Sequence, residues 1–367
     1  MTKDHPQKSN DFYTPEQYAK SQVHRMESTR GHLIIAACRT GSFLADKMVN
    51  RYNELLHAAG SQEQVLYLKD IDKNFTDSET CVRLEEHISG YDVFLVQALY
   101  DPTSERSVDQ NYMAFLIAAR TLREHGAKHV TGVLPYLAYA RQDKPTKFKR
   151  EPTTAKLLAD LSVEAGIDRL IGWNPHSQQL HGFYGKTPVN LLSPLTLFEQ
   201  EFQRFQNQEN VIAVSPDVGA SKLITHFGRN MGINSAITSK FRPKPEKVEM
   251  TEIIGDFDGK RIAIILDDIL GSGGTIVSAV KQLVHSKNIN EVYVGISHNV
   301  GVDNARERLI DLHENYHLKE LIITDSIPQP EDFWSLSFVK ICSLADILSR
   351  TINRIHYNRS VSQIFYQ

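Results

Sequence analysis

Two adjacent carboxylates, Asp267 and Asp268, stand directly before a glycine-rich turn made of Gly271, Ser272, Gly273, Gly274 and Thr275. Carboxylates placed this way can accept hydrogen bonds from sugar hydroxyls or help to hold a divalent cation. The glycines let backbone N–H groups close around an anion, and a helix that starts at the turn adds a partial positive charge. Together they suit a phosphorylated sugar. Glycine alone is weak ground, because many strand-to-helix turns carry it for geometry; the acidic pair directly before it favours a ligand. Two flanking elements must position the turn. Residues 262–266 are an unbroken apolar block, which suits a buried parallel strand, and residues 276–285 have helical apolar spacing.

The same rhythm runs through the chain. Strands are expected at residues 33–37, 65–68, 93–97, 130–134 and 170–173, and again at 211–214, 235–239, 262–266, 292–297 and 321–324. Helices are expected at 43–56, 112–124, 153–164, 197–205, 223–231, 276–285, 304–315 and 341–354. Strands alternating with helices in both halves imply an α/β protein of two domains, each with a mainly parallel sheet flanked by helices. We divide the chain into an extension (1–30), a first domain (31–194) and a second (195–367) that ends in the closing helix. Polar residues collect at the ends of the expected strands, where open α/β sheets bind ligands: Arg141 and Gln142, His176, Asp217, and Lys240 with Arg242.

Bulk properties narrow the class. At 367 residues the chain can fill two ordinary cores. A net charge of −3 gives no global basic field, which argues against a nucleic-acid partner. Cys38, Cys81 and Cys342 share no metal-ligand spacing and suit a reducing cytoplasm better than a disulfide framework. No apolar run has the length of a membrane span, and residues 1–30 carry no apolar stretch of a secretory signal.

Several segments carry a resemblance. The turn after Asp267 and Asp268 looks like the phosphoribosyl-diphosphate loop of phosphoribosyltransferase-type folds. Residues 135–144 read PYLAYARQDK, 74–79 NFTDSE, 176–184 HSQQLHGFY and 215–222 SPDVGASK; Lys240, Phe241 and Arg242 precede a proline, and 358–362 read NRSVS. In this order, from about residue 33 to 365, they resemble the motifs of the ribose-phosphate diphosphokinases, also called phosphoribosyl pyrophosphate synthetases. The resemblance implies two phosphoribosyltransferase-like domains. It also implies transfer of the β,γ-diphosphate of MgATP to the C1 hydroxyl of ribose 5-phosphate, by a homo-oligomer built from dimers.

Carried over residue by residue, the resemblance makes Lys240 and Arg242 the groups that stabilise the transition state. Arg141 and Gln142 would grip ATP. Phe75, Asp77 and Glu79 would wall the adenine from across a subunit interface. Asp267 and Asp268 would bind the ribose hydroxyls, with Ser272, Gly273, Gly274 and Thr275 around the 5-phosphate. His176 and Asp217 would be linked to Mg²⁺. Five departures stand out: Gly271 where the family has Asp, Ser272 for Thr, Asn174 for Asp, Ala220 for Gly and Ser78 for Gly. They leave two alternatives: a bulkier acceptor such as ADP-ribose, or a catalytically silent regulatory subunit.

Overall fold

The computed structural model describes residues 26–241 and 250–362. In chain order the first half contains β1 (Glu27–Ser28), β2 (Gly31–Ala37), α1 (Ser42–Ala58), β3 (Leu66–Leu68), β4 (Asp72–Asn74), β5 (Thr80–Val82), β6 (Asp92–Val96), α2 (Val108–Glu124), β7 (His129–Leu134), α3 (Thr154–Ala165), β8 (Arg169–Trp173), α4 (Leu180–Phe183) and β9 (Val189–Leu192). The second half contains α5 (Leu195–Glu201), β10 (Val211–Ser215), α6 (Ser221–Met231), β11 (Asn234–Phe241), β12 (Met250–Ile254), β13 (Ile262–Leu270), α7 (Gly274–Lys287), β14 (Glu291–Asn299), α8 (Ala305–Asn315), β15 (Leu318–Thr324), α9 (Glu331–Trp334), β16 (Val339–Cys342) and α10 (Ala345–His356).

Each half builds a seven-stranded sheet. The first runs β1-β2-β6-β7-β8-β9 with β3 also paired to β2; the second runs β12-β11-β10-β13-β14-β15-β16. Within these two sheets all pairings are parallel except β1 with β2 and β11 with β12. Alternation along a strand sends successive side chains to opposite faces. On β2, Ile34 and Ala36 join the core under α2 and α3, whereas Leu33, Ile35 and Ala37 join the one under α1. In the second half Phe198, Phe202 and Phe227 are fully buried against β10 and β13; each such ring contributes roughly 2–3 kcal/mol by leaving water.

Several expected elements shift for physical reasons. The helix expected from residue 112 starts at Val108, because Ser107 and Gln110 form a capping box ahead of the first apolar repeat. Residues 341–354 are not one helix. Ile341 and Cys342 pair with Ile323 and Thr324 at the sheet edge, and α10 begins afterwards. The stretch 197–205 is α5 followed by a 3₁₀ turn at Gln203–Phe205. Lys240 and Phe241, beyond the strand expected at 235–239, extend β11 and pair with Thr251 and Met250. The antiparallel hairpin of β4 and β5 is new. By sequence α10 belongs to the second half, yet Leu348, Ile352 and Ile355 bury against the first sheet with Leu33, Ile35 and Tyr52.

Candidate functional site

The two halves meet at the C-terminal ends of their parallel strands, the position at which open α/β sheets form ligand crevices. Tyr136, after β7, packs with Val300 and Ile327 of the second half. The acidic pair lies within β13 rather than at its end, since the strand runs on to Leu270. Asp267 is buried and its Oδ1 accepts from the Asp268 amide at 2.9 Å. Asp268 Oδ1 accepts from the Ile269 amide at 2.9 Å, which leaves its Oδ2 for another donor.

That donor comes from the first half. His176, beyond β8, places Nδ1 2.6 Å from Asp268 Oδ2. The hydrogen bond to Asp268 raises the His176 pKa above its ordinary value, against the opposing effect of burial. For Asp268, burial opposes ionisation, but the bond to His176 outweighs it and the carboxyl is held below its ordinary value. Asp267 moves the other way: burial first, then the charges of Asp268 and Asp217, push it well above the usual carboxylate range. The two neighbouring carboxylates are therefore shifted in opposite directions, Asp268 down and Asp267 up.

The glycine turn follows directly. Gly273 adopts a left-handed backbone, φ +78°, and caps α7 with no side chain bonded to the helix amides. Uncapped N–H groups at a helix start favour an anion. Arg308 of α8 donates from Nη1 to the Ser272 carbonyl at 2.6 Å and so ties the turn from below. A side chain at Gly271 would meet no atom within 4 Å. Glycine there removes a charge without being required by space.

The other expected residues divide into groups. Arg141 is exposed on the loop after β7, close enough to act electrostatically on His176 and Tyr136. Gln142 accepts from Thr154 Oγ1 at 2.7 Å, so its side-chain oxygen is committed to the start of α3. Asp217 follows β10, accepts from the Ala220 amide at 3.1 Å, and lies close enough to Asp267 to raise its pKa. Phe75, Asp77 and Glu79 occupy the tip of the β4–β5 hairpin, with the Phe75 ring 52% exposed. Among the described residues no hydrogen bond or ion pair joins that tip to Asp267 or Asp268. Lys240 is on β11, and Arg242 lies outside the described residues.

Among the described residues no group of three or more His, Cys, Asp or Glu side chains is gathered to hold a metal ion. His176 and Asp217 therefore do not form a protein-only cage. Asp217 carries carboxylate oxygens, which fit Mg²⁺ bound by one carboxylate with substrate phosphates and water completing the shell.

Sequence reasoning left His298 without a role and passed over Arg308 and Ser297. His298 is 1% exposed, and burial pushes its imidazole down to about 4. Its Nε2 faces the carbonyls of Trp173 and Asn174 at 3.0 and 3.1 Å. Asn174 donates its side-chain amide to Ser297 Oγ at 2.6 Å. Only the polar residue types hinted at these contacts.

Known proteins resemble this chain along most of its length. Residues 33–166 match the N-terminal domain of ribose phosphate pyrophosphokinase, and residues 224–366 match the phosphoribosyl synthetase-associated domain. The chain is 37% identical to the ribose-phosphate pyrophosphokinase of Fusobacterium nucleatum over 295 residues, which cover 80% of this chain and 89% of the relative. It is 33% identical to that of Listeria ivanovii over 317 residues, covering 86% and 95%. The crystal structure of phosphoribosylpyrophosphate synthetase from Mycobacterium smegmatis matches with a TM-score of 0.76 at 29% identity, covering 89% of this chain and 99% of that one. With two sheets of this topology, an acidic pair before a glycine turn, and these relatives along most of its length, the chain belongs to the ribose-phosphate pyrophosphokinase family.

Proposed function

We propose that the protein transfers the β,γ-diphosphate of ATP to the C1 hydroxyl of ribose 5-phosphate, giving phosphoribosyl pyrophosphate and AMP. A new bond forms between the C1 oxygen and the β-phosphorus. The bond from that phosphorus to the oxygen bridging the α-phosphate breaks, AMP leaves with the bridging oxygen, and the hydroxyl proton passes to solvent. The observation that carries this reading is the His176–Asp268 pair, 2.6 Å apart, which joins the two halves beside the glycine turn. Transfer between two polyanions requires positioning and charge neutralisation more than covalent help.

In this reading Asp267 and Asp268 take the ribose hydroxyls, while the amides of Ser272, Gly273, Gly274 and Thr275 hold the 5-phosphate. Arg141 and Gln142 contact ATP. Lys240 and Arg242 offset the charge that builds on the transferred group. Asp217 and His176 would hold Mg²⁺, which would offset charge on the diphosphate. The hairpin tip with Phe75, Asp77 and Glu79 completes the adenine site of a neighbouring copy, in an oligomer built from dimers. Residues 31–194 and 195–367 act as the two domains, after an extension at 1–30. We place the protein in the cytoplasm, without a nucleic-acid or membrane partner; no helix among the described residues is long and apolar enough to cross a membrane.

Purified protein supplied with MgATP and either ribose 5-phosphate or ADP-ribose tests the acceptor. Faster AMP release with ribose 5-phosphate is expected. Preference for ADP-ribose would overturn the acceptor assignment, and no AMP with either would favour a silent subunit.

A further inference from the structure

His298 stands at the end of β14, paired in register with Ile269, the residue after the acidic pair. It contributes nothing to the glycine turn. Its contacts run instead to the first half. Nε2 faces two carbonyl oxygens, so it carries the hydrogen and donates to both Trp173 and Asn174. Nδ1 lies 2.8 Å from Ser326 Oγ, a hydroxyl that also lies within donating distance of the Ser297 carbonyl, at 2.9 Å. The Tyr136 ring lies 5.1 Å from the imidazole, centroid to centroid, and closes that side.

The preceding residue makes a parallel link. Ser297 Oγ accepts from the Asn174 amide at 2.6 Å, and Asn174 has a left-handed backbone, φ +34°. Both links reach the same short loop, which delivers His176 to Asp268 two residues later. Simple filling of the interface would need only an apolar side chain. Here the ring is placed by Nε2, whose first-half partners are backbone carbonyls that only a donor at this point can hold.

We infer that His298 is a positioning residue for the diphosphate transfer: by fixing the Trp173 and Asn174 carbonyls it sets His176 opposite Asp268 and holds the two substrate-binding halves in register. The inference rests on the proposed reaction. A displacement of about 1 Å at reacting groups can cost on the order of 100-fold in rate, whereas each half would still bind its own substrate.

The test compares His298→Gln with His298→Asn in the full-length protein, alongside Ser297→Ala, using steady-state AMP release from MgATP and ribose 5-phosphate. The Gln amide nitrogen reaches the place of Nε2; the Asn amide does not. We expect His298→Asn to lower kcat by about 10- to 100-fold with both KM values within about threefold. His298→Gln should recover most of the loss, and Ser297→Ala should fall in between. An unchanged kcat in His298→Asn, an equal fall in both variants, or a loss confined to KM would overturn the inference. If a His298 variant fails to unfold cooperatively, Ser297→Ala decides by the same kcat-against-KM criterion. Inactive wild-type protein would instead refute the proposed reaction, so the two failures are distinct.

Discussion

His176, in the loop beyond β8, and Asp268, on β13 of the other sheet, meet at 2.6 Å, with the bond raising the histidine pKa and holding the carboxyl low. The loop after β8 and the strand β13 thus share one charge pair at the mouth of the cleft. Whatever is held by the acidic pair is held relative to both halves at once. Among the described residues neighbouring Asp267 has no such cationic partner, and burial pushes it up.

The turn that follows depends on Arg308. Its guanidinium holds the Ser272 carbonyl at 2.6 Å, and a charged hydrogen bond of this kind is worth about 1.5–3 kcal/mol. Arg308→Met keeps most of the stem and removes the donor. KM for ribose 5-phosphate should rise about tenfold with kcat within about twofold. An unchanged KM in steady-state assays would show that the turn holds its shape alone.

Lys240 carries the expectation taken from the basic motif at the end of β11. If it acts on the transition state only, Lys240→Ala should lower kcat by about 100- to 1,000-fold while ATP binding, measured calorimetrically, changes by less than about threefold. Equal losses in both would make Lys240 an ATP ligand, and unchanged turnover would remove it from the mechanism.

His298 gives the fold a defined acid sensitivity. Burial holds its folded pKa at about 4, below the ordinary 6.5, while the Asp268 charge pulls the other way. The sign follows from proton uptake. Below the unfolded pKa the unfolded chain binds a proton that the folded one refuses, so this contribution is intact above pH 6.5 and erodes as pH falls toward 4. The slope is about 1 kcal/mol per pH unit. Denaturant titrations from pH 7 to 4.5 should show this slope in the wild type and a shallower one in His298→Gln. Identical slopes would contradict it.

Ser78 occupies a left-handed turn, φ +74°, at the hairpin tip, where the family resemblance has glycine. Ser78→Gly should relieve about 1 kcal/mol of local strain. The Phe75 amide, bonded to the Glu79 carbonyl at 2.8 Å, should then exchange with solvent about fivefold more slowly. Faster exchange would mean that added chain freedom outweighs the relief.

Much of this architecture is visible in the residues. Central strands such as β6 and β14 are short apolar runs, and the acidic pair with its glycines marks the ligand end of β13 without any coordinates. The hairpin was not legible, because Asp72, Lys73 and Asn74 are polar and their order depends on Arg106, which bonds both Asp72 and Asn74 from beside α2. Edge strands β12 and β16 take their identity from neighbours already in the sheet. Packing of α10 on the first sheet, and the reach of His298 to carbonyls 124 and 125 positions away, are tertiary contacts that no local pattern encodes.

The most direct test of the central claim follows both phosphorus atoms. In ³¹P NMR of the protein with MgATP and ribose 5-phosphate, the account predicts AMP and a sugar-linked diphosphate appearing in equal amounts as ATP disappears. Formation of ADP with a sugar monophosphate, or of free diphosphate with no sugar adduct, would contradict it.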